Sequence, residues 1–196
     1  MKFIIWLSFI FAYALLTTLI TQSGVFIGVI PTCLLFSSFY TLAMLCCKAW
    51  DIKQFEKKYP TERLNEELVE FIETCKIQFL AENIEFKNNP KVSEIFDNAS
   101  EKIKETEKAQ LIKKIIKDKQ IPKNYALNII QLSAFKVLNQ CTTGEITAQC
   151  DKFTLAKEIY HYTNKVGLSN GYINQEQHDS SIEYLEQTLR AKSRNR

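Results

Sequence analysis

Hydrophobic and polar residues divide the chain into two parts with different patterns. Residues 3–47 contain no charged side chain, whereas apolar residues three or four positions apart recur through the rest of the chain. The sequence has no sustained alternation of β-branched and polar residues, which is the usual pattern of a strand. We therefore predict an all-α protein, with a membrane segment at residues 1–50 followed by a helical domain.

The uncharged segment is too long for one membrane-spanning helix. At 1.5 Å per residue its 45 residues would form a helix about 65 Å long, roughly twice the hydrocarbon thickness of a bilayer. The polar cluster at 21–24 offers a turn, so we predict two spans, at about 3–20 and 25–47. Both spans are expected to be helical, because unpaired backbone groups are costly in lipid.

The positions of the cations predict the orientation of this transmembrane hairpin. Lys2 precedes the first span and several cations follow the second, from Lys48 to Arg63, whereas the turn carries none. Cations favour the cytoplasmic side, so we predict a multi-pass protein of the inner membrane with both termini in the cytoplasm. The alternative is a signal peptide cleaved after Ser23. We favour the hairpin because the apolar run exceeds the usual ~7–15 residues and a second apolar segment follows directly.

Small residues recur four positions apart in both predicted spans, where they would let helix backbones approach closely. They are Ser8 and Ala12 in the first span, and Gly24, Gly28 and Thr32 in the second. We predict that they pack the two helices of the hairpin together, and the alternative is a face for oligomerisation. Neither span contains Asp, Glu, Lys, Arg or His, which argues against a proton relay, a voltage sensor or an ion-coupled transporter.

The rest of the chain is predicted to form a cytosolic helical domain at residues 61–190. A juxtamembrane linker at 51–60 precedes it, and a basic tail at 191–196 follows. Residues 60–86 have a net charge of −5 and residues 87–123 a net charge of +4. An antiparallel pair of helices would place these charges side by side, while burial of the apolar stripes supplies the stability.

Breaks in the apolar periodicity predict about five helices in this domain. Their approximate bounds are 60–86, 92–116, 124–140, 147–167 and 174–190. Gly167 is the predicted left-handed residue at the end of the fourth helix. Asn174 and Gln177 have the spacing of a capping box, so the fifth helix has the clearest predicted start.

Residue types that support catalysis or metal binding are few. Cys141, Cys150, His161 and His178 suit zinc, but eight, ten and sixteen residues separate them, whereas structural zinc ligands come in pairs about two to five residues apart. The cysteines are expected to stay reduced and to pack as small apolar residues. Phosphate-binding loops and common hydrolase motifs are absent, so we predict no enzymatic activity, no cofactor and no small-molecule substrate.

A lysine-rich stretch is one candidate binding surface. Lys113, Lys114 and Lys117 are interleaved with isoleucines near the end of the second predicted helix. A solvated helix face is the simpler interpretation. Contact with anionic lipid headgroups is the alternative, because the domain would be tethered to the inner leaflet. We do not expect nucleic acid as a partner, since residues 51–196 are nearly neutral and contain no known binding module.

Two short stretches resemble parts of known bacterial proteins. The first combines GVIPT at 28–32 with KAWD at 48–51, and it resembles the anchor of small bacterial proteins that join a two-helix membrane hairpin to a cytosolic helical tail. The second is GYINQEQ at 171–177 with the apolar residues that follow, and it is similar to the C-terminal helical modules called SHOCT domains. The resemblance implies a bacterial, membrane-anchored protein without catalytic residues.

Together these features predict a membrane-anchored helical module whose cytosolic domain binds a protein partner or a second copy of itself. The lipid bilayer is the other expected partner. One alternative is a subunit of a membrane assembly in which the hairpin oligomerises, and another is a membrane-tethered enzyme. Deletion of residues 1–50 separates the first two hypotheses, since only the interaction module would keep its partner.

Overall fold

The structure, a computed structural model, describes residues 2–22, 29–59 and 62–194. Every regular element in these residues is helical, which confirms the predicted all-α class. The chain divides into two compact units, Met1–Pro60 and Thr61–Arg196. In the described residues the first unit contains two α-helices, and the second contains seven α-helices and a short 3-10 helix.

The first unit consists of α1 (Lys2–Gln22) and α2 (Val29–Lys58). Of the predicted turn at 21–24, the last two residues lie outside the described part of the chain. The segment predicted as a linker at 51–60 is helical as far as Lys58, because α2 continues through it without a break. The second helix is therefore longer at its C-terminal end than the predicted span at 25–47.

Aromatic rings connect α1 to α2. The ring centroids of Trp6 and Tyr40 are 5.4 Å apart, and those of Tyr13 and Phe36 are 5.5 Å apart. Residue numbers increase along α1 while those of the partner rings decrease along α2, so the two helices pack antiparallel. Ring pairs of this kind contribute about 0.5–1.5 kcal/mol each beyond the burial of their area.

The second unit begins with α3 and ends with α9. Its elements are α3 (Leu64–Glu82), a 3-10 helix (Ile84–Phe86), α4 (Pro90–Glu105), α5 (Lys108–Lys117), α6 (Pro122–Gln140), α7 (Thr143–Thr147), α8 (Asp151–Ser169) and α9 (Gln175–Arg194). The prediction of about five helices was too low for two reasons. The second predicted helix is divided into α4 and α5, and α7 is an additional short helix.

A side chain of α3 stabilises the break between α4 and α5. Nδ2 of Asn65 donates hydrogen bonds to the backbone oxygens of Ile103 and Thr106, both at 2.9 Å. Carbonyl groups at the end of a helix have no partner within that helix. The prediction of one helix over 92–116 was wrong, because this contact comes from a residue almost forty positions earlier in the chain.

The first two helices of this unit, α3 and α4, pack antiparallel. Asn65 near the start of α3 contacts the end of α4, and Lys76 further along α3 forms an ion pair of 3.0 Å with Asp97 of α4. The expected pairing of opposite net charges does not occur, because α4 has four acidic and three basic side chains and four of the cations of residues 87–123 lie in α5. Exposed ion pairs contribute at most about 1 kcal/mol, so apolar burial is the larger stabilising contribution.

The core of the second unit is centred on α6, which packs against α3, α4 and α8. An aromatic cluster lies beside it around Phe79, which is fully buried. The ring of Phe79 lies 6.1 Å from Phe86, 6.1 Å from Phe96 and 5.4 Å from Tyr162. These four rings join α3, the 3-10 helix, α4 and α8 in one cluster.

The C-terminal end of α8 differs from the prediction. Gly171, with φ of 66°, is the left-handed residue, whereas Gly167 lies within α8. The N–H of Tyr172 donates to the carbonyl of Gly167 at 2.8 Å, which is one of the two hydrogen bonds of a Schellman motif. A Cβ atom on Gly167 would lie 3.2 Å from Cδ1 of Ile173. Gly167 therefore permits a close approach of the following loop instead of ending the helix.

The predicted start of the last helix is confirmed. The N–H of Gln177 donates to Oδ1 of Asn174 at 2.8 Å, and the N–H of Asn174 donates to Oε1 of Gln177 at 3.0 Å. This reciprocal pair is the capping box expected from the sequence. The helix continues to Arg194, beyond its predicted end at 190, and thus includes most of the predicted basic tail at 191–196.

Candidate functional site

The outer surface of α1 is apolar and exposed. Its large apolar side chains are between 51 and 74% exposed at Phe3, Ile4, Leu7, Ile10, Phe11, Leu15 and Leu19. Among the described residues one helix is long and apolar enough to cross a membrane, over Phe3–Ile20, with a mean hydropathy of 2.3. A membrane span and a signal sequence both have these properties.

The first half of α2 has a similar surface. Leu34, Leu42 and Leu45 are each more than half exposed, and the first charged side chain of the helix is Lys48. Soluble proteins seldom expose large contiguous apolar patches. The first unit is therefore suited to a bilayer or to a protein surface that covers these side chains.

The small residues predicted to pack the hairpin lie in different environments. Ser8 and Ala12 are exposed on α1, and the ring pairs with α2 come from other positions of α1. Gly24 and Gly28 lie outside the described residues, and Thr32 lies within α2. Aromatic rings thus contribute to the packing between α1 and α2, whereas Ser8 and Ala12 are exposed.

The helix α5 separates its lysines from its apolar side chains. Lys113, Lys114 and Lys117 are exposed, whereas Leu111 and Ile115 are fully buried. Positions four apart are neighbours on a helix surface, so the three predicted lysines share one side of α5. This arrangement is compatible with a solvated face and with contact to anionic headgroups.

The cysteines of the second unit that are buried are held as thiols. Burial raises the pKa of the Cys75 thiol to about 12, and burial also raises the pKa of Cys141. The thiolate is the form that binds metals and acts as a nucleophile, and burial disfavours this form for both side chains. Nowhere in the described ranges do three or more His, Cys, Asp or Glu side chains come together to hold a metal ion.

A cavity of about 160 Å³ lies between α6, α8 and α9. Six side-chain amides line it, from Gln120, Asn124, Asn128, Gln131, Asn164 and Gln177. Two hydroxyl groups, from Thr163 and Ser181, and the apolar side chains of Leu127 and Ile173 complete the lining. None of these ten side chains is ionisable. We call this feature the amide-lined cavity.

Most buried polar residues of the described chain belong to the amide-lined cavity. Asn124 is 8% exposed, Thr163 3% and Asn164 4%, and the remaining buried polar residue is Ser100. Thr163 and Asn164 donate hydrogen bonds to the carbonyl of Tyr160, at 2.8 and 3.0 Å. The clustering is notable because buried polar side chains are costly unless they find partners.

Two amides of the cavity have unused hydrogen-bonding capacity. The side chain of Asn124 forms no hydrogen bond to any residue in the described part of the chain. Oε1 of Gln120 is covered by protein atoms and has no partner either. Native proteins contain few such groups, and each calls for an explanation.

Other hydrogen bonds fix the walls of the cavity. Nε2 of Gln131 on α6 donates to Oγ of Ser181 on α9 at 3.1 Å. The same Oγ lies 3.0 Å from the hydroxyl of Tyr160 on α8. These bonds connect the three helices around the cavity, so its shape is determined without a ligand.

Sequence analysis did not identify the amide-lined cavity. Its polar residues come from α6, α8, α9 and the residue Gln120 before α6, and such a set has no common spacing. One signal was present, because Asn124, Asn128 and Gln131 lie four and three positions apart and thus share a face of α6. Such a stripe is also typical of a solvated face, which is the usual interpretation.

Comparison of the chain with protein-family models, with curated proteins and with solved structures found no match. The resemblance to bacterial hairpin proteins and to SHOCT modules stays a prediction from short motifs. The helical fold, the apolar first unit and the amide-lined cavity are therefore the features on which a function can be based.

Proposed function

We propose that the protein is a membrane-anchored helical module of the inner membrane. In this proposal α1 and the first part of α2 cross the bilayer as a hairpin, and both termini face the cytoplasm. The second unit is then a cytosolic domain that recognises a protein partner or a second copy of the chain. The observation that carries the proposal is the exposed apolar surface of α1.

The exposed side chains of α1 favour lipid as their surroundings. Phe3 is 74% exposed and Phe11 69%. Removing apolar surface from water is favourable by roughly 25 cal/mol per Å², so α1 would associate strongly with any apolar phase. In lipid its backbone remains satisfied, because the hydrogen bonds of a helix are internal.

The ring pairs between α1 and α2 favour a hairpin over a cleaved signal peptide. Association of helices in lipid depends on close packing, since lipid chains are as apolar as the side chains. The rings of Trp6 and Tyr13 supply this packing against Tyr40 and Phe36. Cleavage after Ser23 would remove α1 and leave its partner rings on α2 uncovered.

Reporter fusions test the topology. A reporter active in the periplasm should be active when fused at Ser23 and inactive when fused after Arg196, and a cytoplasmic reporter should give the opposite result. An N-terminal tag that stays on the mature protein is the control for cleavage. If both fusion points lie on the same side of the membrane, the result contradicts the hairpin and favours the signal peptide.

Apolar residues exposed on α6 and α9 support the interaction role. Leu132 is 53% exposed and Tyr184 58%. The ring of Tyr184 lies 5.7 Å from that of Phe135, which follows Leu132 by almost one helical turn. Grouped apolar and aromatic side chains are typical of the centre of a protein interface, so this surface is the one that we would expect a partner to cover.

Co-purification tests the interaction role. A partner captured by the full chain should also be captured by residues 61–196, and its binding should weaken at least tenfold with Leu132→Ser and Tyr184→Ala. Ile77→Ser is the matched control, because Ile77 is similarly exposed but lies on α3. Retention of binding by both variants would exclude this surface.

The second candidate function is a membrane assembly formed by the hairpin. The exposure of Ser8 and Ala12 on the outer surface of α1 favours it, since small residues there leave room for a helix of another copy. Loss of self-association in Ser8→Leu and Ala12→Leu, together with loss of every partner after deletion of residues 1–50, would support this alternative.

A further inference from the structure

We propose that the amide-lined cavity binds a small uncharged molecule that presents an amide or imide edge. Carboxamides, lactams and pyrimidine bases belong to this class. The proposal is independent of the membrane topology, because every residue of the cavity lies in the second unit. It would add ligand recognition to a domain for which sequence analysis predicted no small molecule.

The first reason is the unused hydrogen-bonding capacity inside the cavity. Asn124 is more than nine-tenths buried, lines the cavity and has no hydrogen bond to a described residue. Its amide is not among the covered atoms, so it faces the space of the cavity. A bound molecule with matching groups could therefore form hydrogen bonds that this side chain does not form within the protein.

The second reason is the kind of groups that the cavity offers. A side-chain amide has one oxygen that accepts and one NH₂ group that donates two hydrogen bonds. Its best partner is another edge with an acceptor next to a donor, which is how Asn and Gln pair with the edge of a base. Amides and imides carry such an edge, whereas simple ethers, ketones and alcohols do not.

The absence of charge in the lining determines the charge of the ligand. None of the side chains around the cavity is ionisable. Enclosing an ion without an opposite charge is strongly unfavourable. The ligand is therefore neutral, and a charged molecule of the same shape should be rejected.

The size of the cavity and its apolar walls indicate a single ring. Its volume of about 160 Å³ is close to that of an engineered cavity of about 150 Å³ that binds benzene in another protein. Leu127 and Ile173 provide apolar surface for the face of such a ring. Ile173 is held near this position by its close approach to Gly167.

Ordered water is the competing occupant. Water molecules commonly satisfy buried polar groups, and this cavity has room for about five at ~30 Å³ each. If the cavity only holds water, the protein should not bind neutral solutes in preference to charged ones. A ligand site discriminates between them, so the two possibilities give different results in a binding measurement.

The test uses the full chain in detergent micelles and compares the binding of neutral probes with that of a charged probe. Nicotinamide and uracil are the neutral probes, and nicotinate is the charged analogue of nicotinamide. Titrations followed by saturation-transfer NMR should show saturable binding of at least one neutral probe and at least tenfold weaker binding of nicotinate. No saturable binding of either neutral probe up to its solubility, or equal binding of nicotinate, would overturn the proposal in favour of water.

A variant pair assigns the binding to the cavity. Asn124→Leu keeps the size of the side chain and removes both hydrogen-bonding atoms, so it should weaken binding at least tenfold. Asn98→Leu, the same change at an exposed position of α4, should leave binding unchanged. Equal binding by wild type and Asn124→Leu would overturn the proposal.

The folding of the variants is checked by circular dichroism. Because Asn124 has no hydrogen bond to lose, its replacement should keep the helical signal. If Asn124→Leu does not fold, Asn128→Leu provides the same test, since Asn128 is a second amide of α6 that lines the cavity. Unchanged affinity in a folded Asn128→Leu protein would then reject the assignment.

Discussion

Replacement of Phe79 by alanine is expected to destabilise the second unit more than any substitution on its surface. Phe79 is fully buried, and its ring contacts those of Phe86, Phe96 and Tyr162 at centroid distances of 5.4–6.1 Å. The substitution removes a whole ring from the place where three helices and the 3-10 helix meet. The cavity that remains cannot collapse easily, because each neighbouring ring is held by a different element.

The expected loss follows from the size of the removed ring. Phe→Ala changes in protein cores cost about 3–5 kcal/mol. The cost for Phe79 should lie in the upper part of this range, because each lost ring pair is worth about 0.5–1.5 kcal/mol. A domain of this size has a free energy of unfolding of about 5–15 kcal/mol. Phe79→Ala should thus remove a large part of its stability, whereas Phe79→Leu, which keeps most of the volume, should cost about half as much.

Urea unfolding of residues 61–196, followed by circular dichroism at 222 nm, measures these changes. We expect this fragment to fold alone and to keep its signal in the presence of a chelator or a reductant. Ile77→Ala is the control on the same helix, because Ile77 is 62% exposed and its replacement should change stability by at most about 0.5 kcal/mol. A cost of Phe79→Ala below ~1 kcal/mol, or equal to that of Ile77→Ala, would refute the assignment of Phe79 to the core.

Three further predictions concern the backbone, a histidine and the basic surface. In urea unfolding, Gly171→Ala should lower the free energy of unfolding by about 1 kcal/mol, because φ is 66° there. Lys119→Gly, at φ of 51°, should instead raise it by about 0.5 kcal/mol. A change of the same sign in both variants would contradict this prediction. Burial, with a contribution from Lys157, lowers the pKa of His161 below 6.5, so the unfolded state binds more protons and stability should fall as the pH drops below about 6.5. Thermal unfolding from pH 7.5 to 5 should show a shallower fall for His161→Gln, and an unchanged slope would exclude His161 as the cause. If α5 docks on headgroups, residues 61–196 should bind acidic vesicles weakly, with about 1 kcal/mol per lysine. This binding should be lost at high salt and when Lys113, Lys114 and Lys117 are replaced by glutamine. Equal binding to neutral vesicles would indicate that these lysines form a solvated face.

Local patterns in the sequence determined the helical class, the apolar α1 and the start of α9. A helix places residues three and four apart on one face, so its apolar stripe can be recognised from the chain alone. The capping box of Asn174 and Gln177 is equally local, because both of its hydrogen bonds join residues three positions apart. The net charges did not predict the packing of α3 against α4, because both helices are net negative and the cations of the second predicted helix lie mainly in α5.

Tertiary contacts decided where helices end and where polar side chains gather. The break after α4 depends on Asn65 of α3. Gly167 lies within α8, where Ile173 packs against it, and the left-handed residue is Gly171. The amide-lined cavity exists because α8 and α9 cover the face of α6 that carries Asn124. An amide on a helix face is ordinary when water surrounds it and costly when other helices cover it, and the sequence does not show which of these conditions applies.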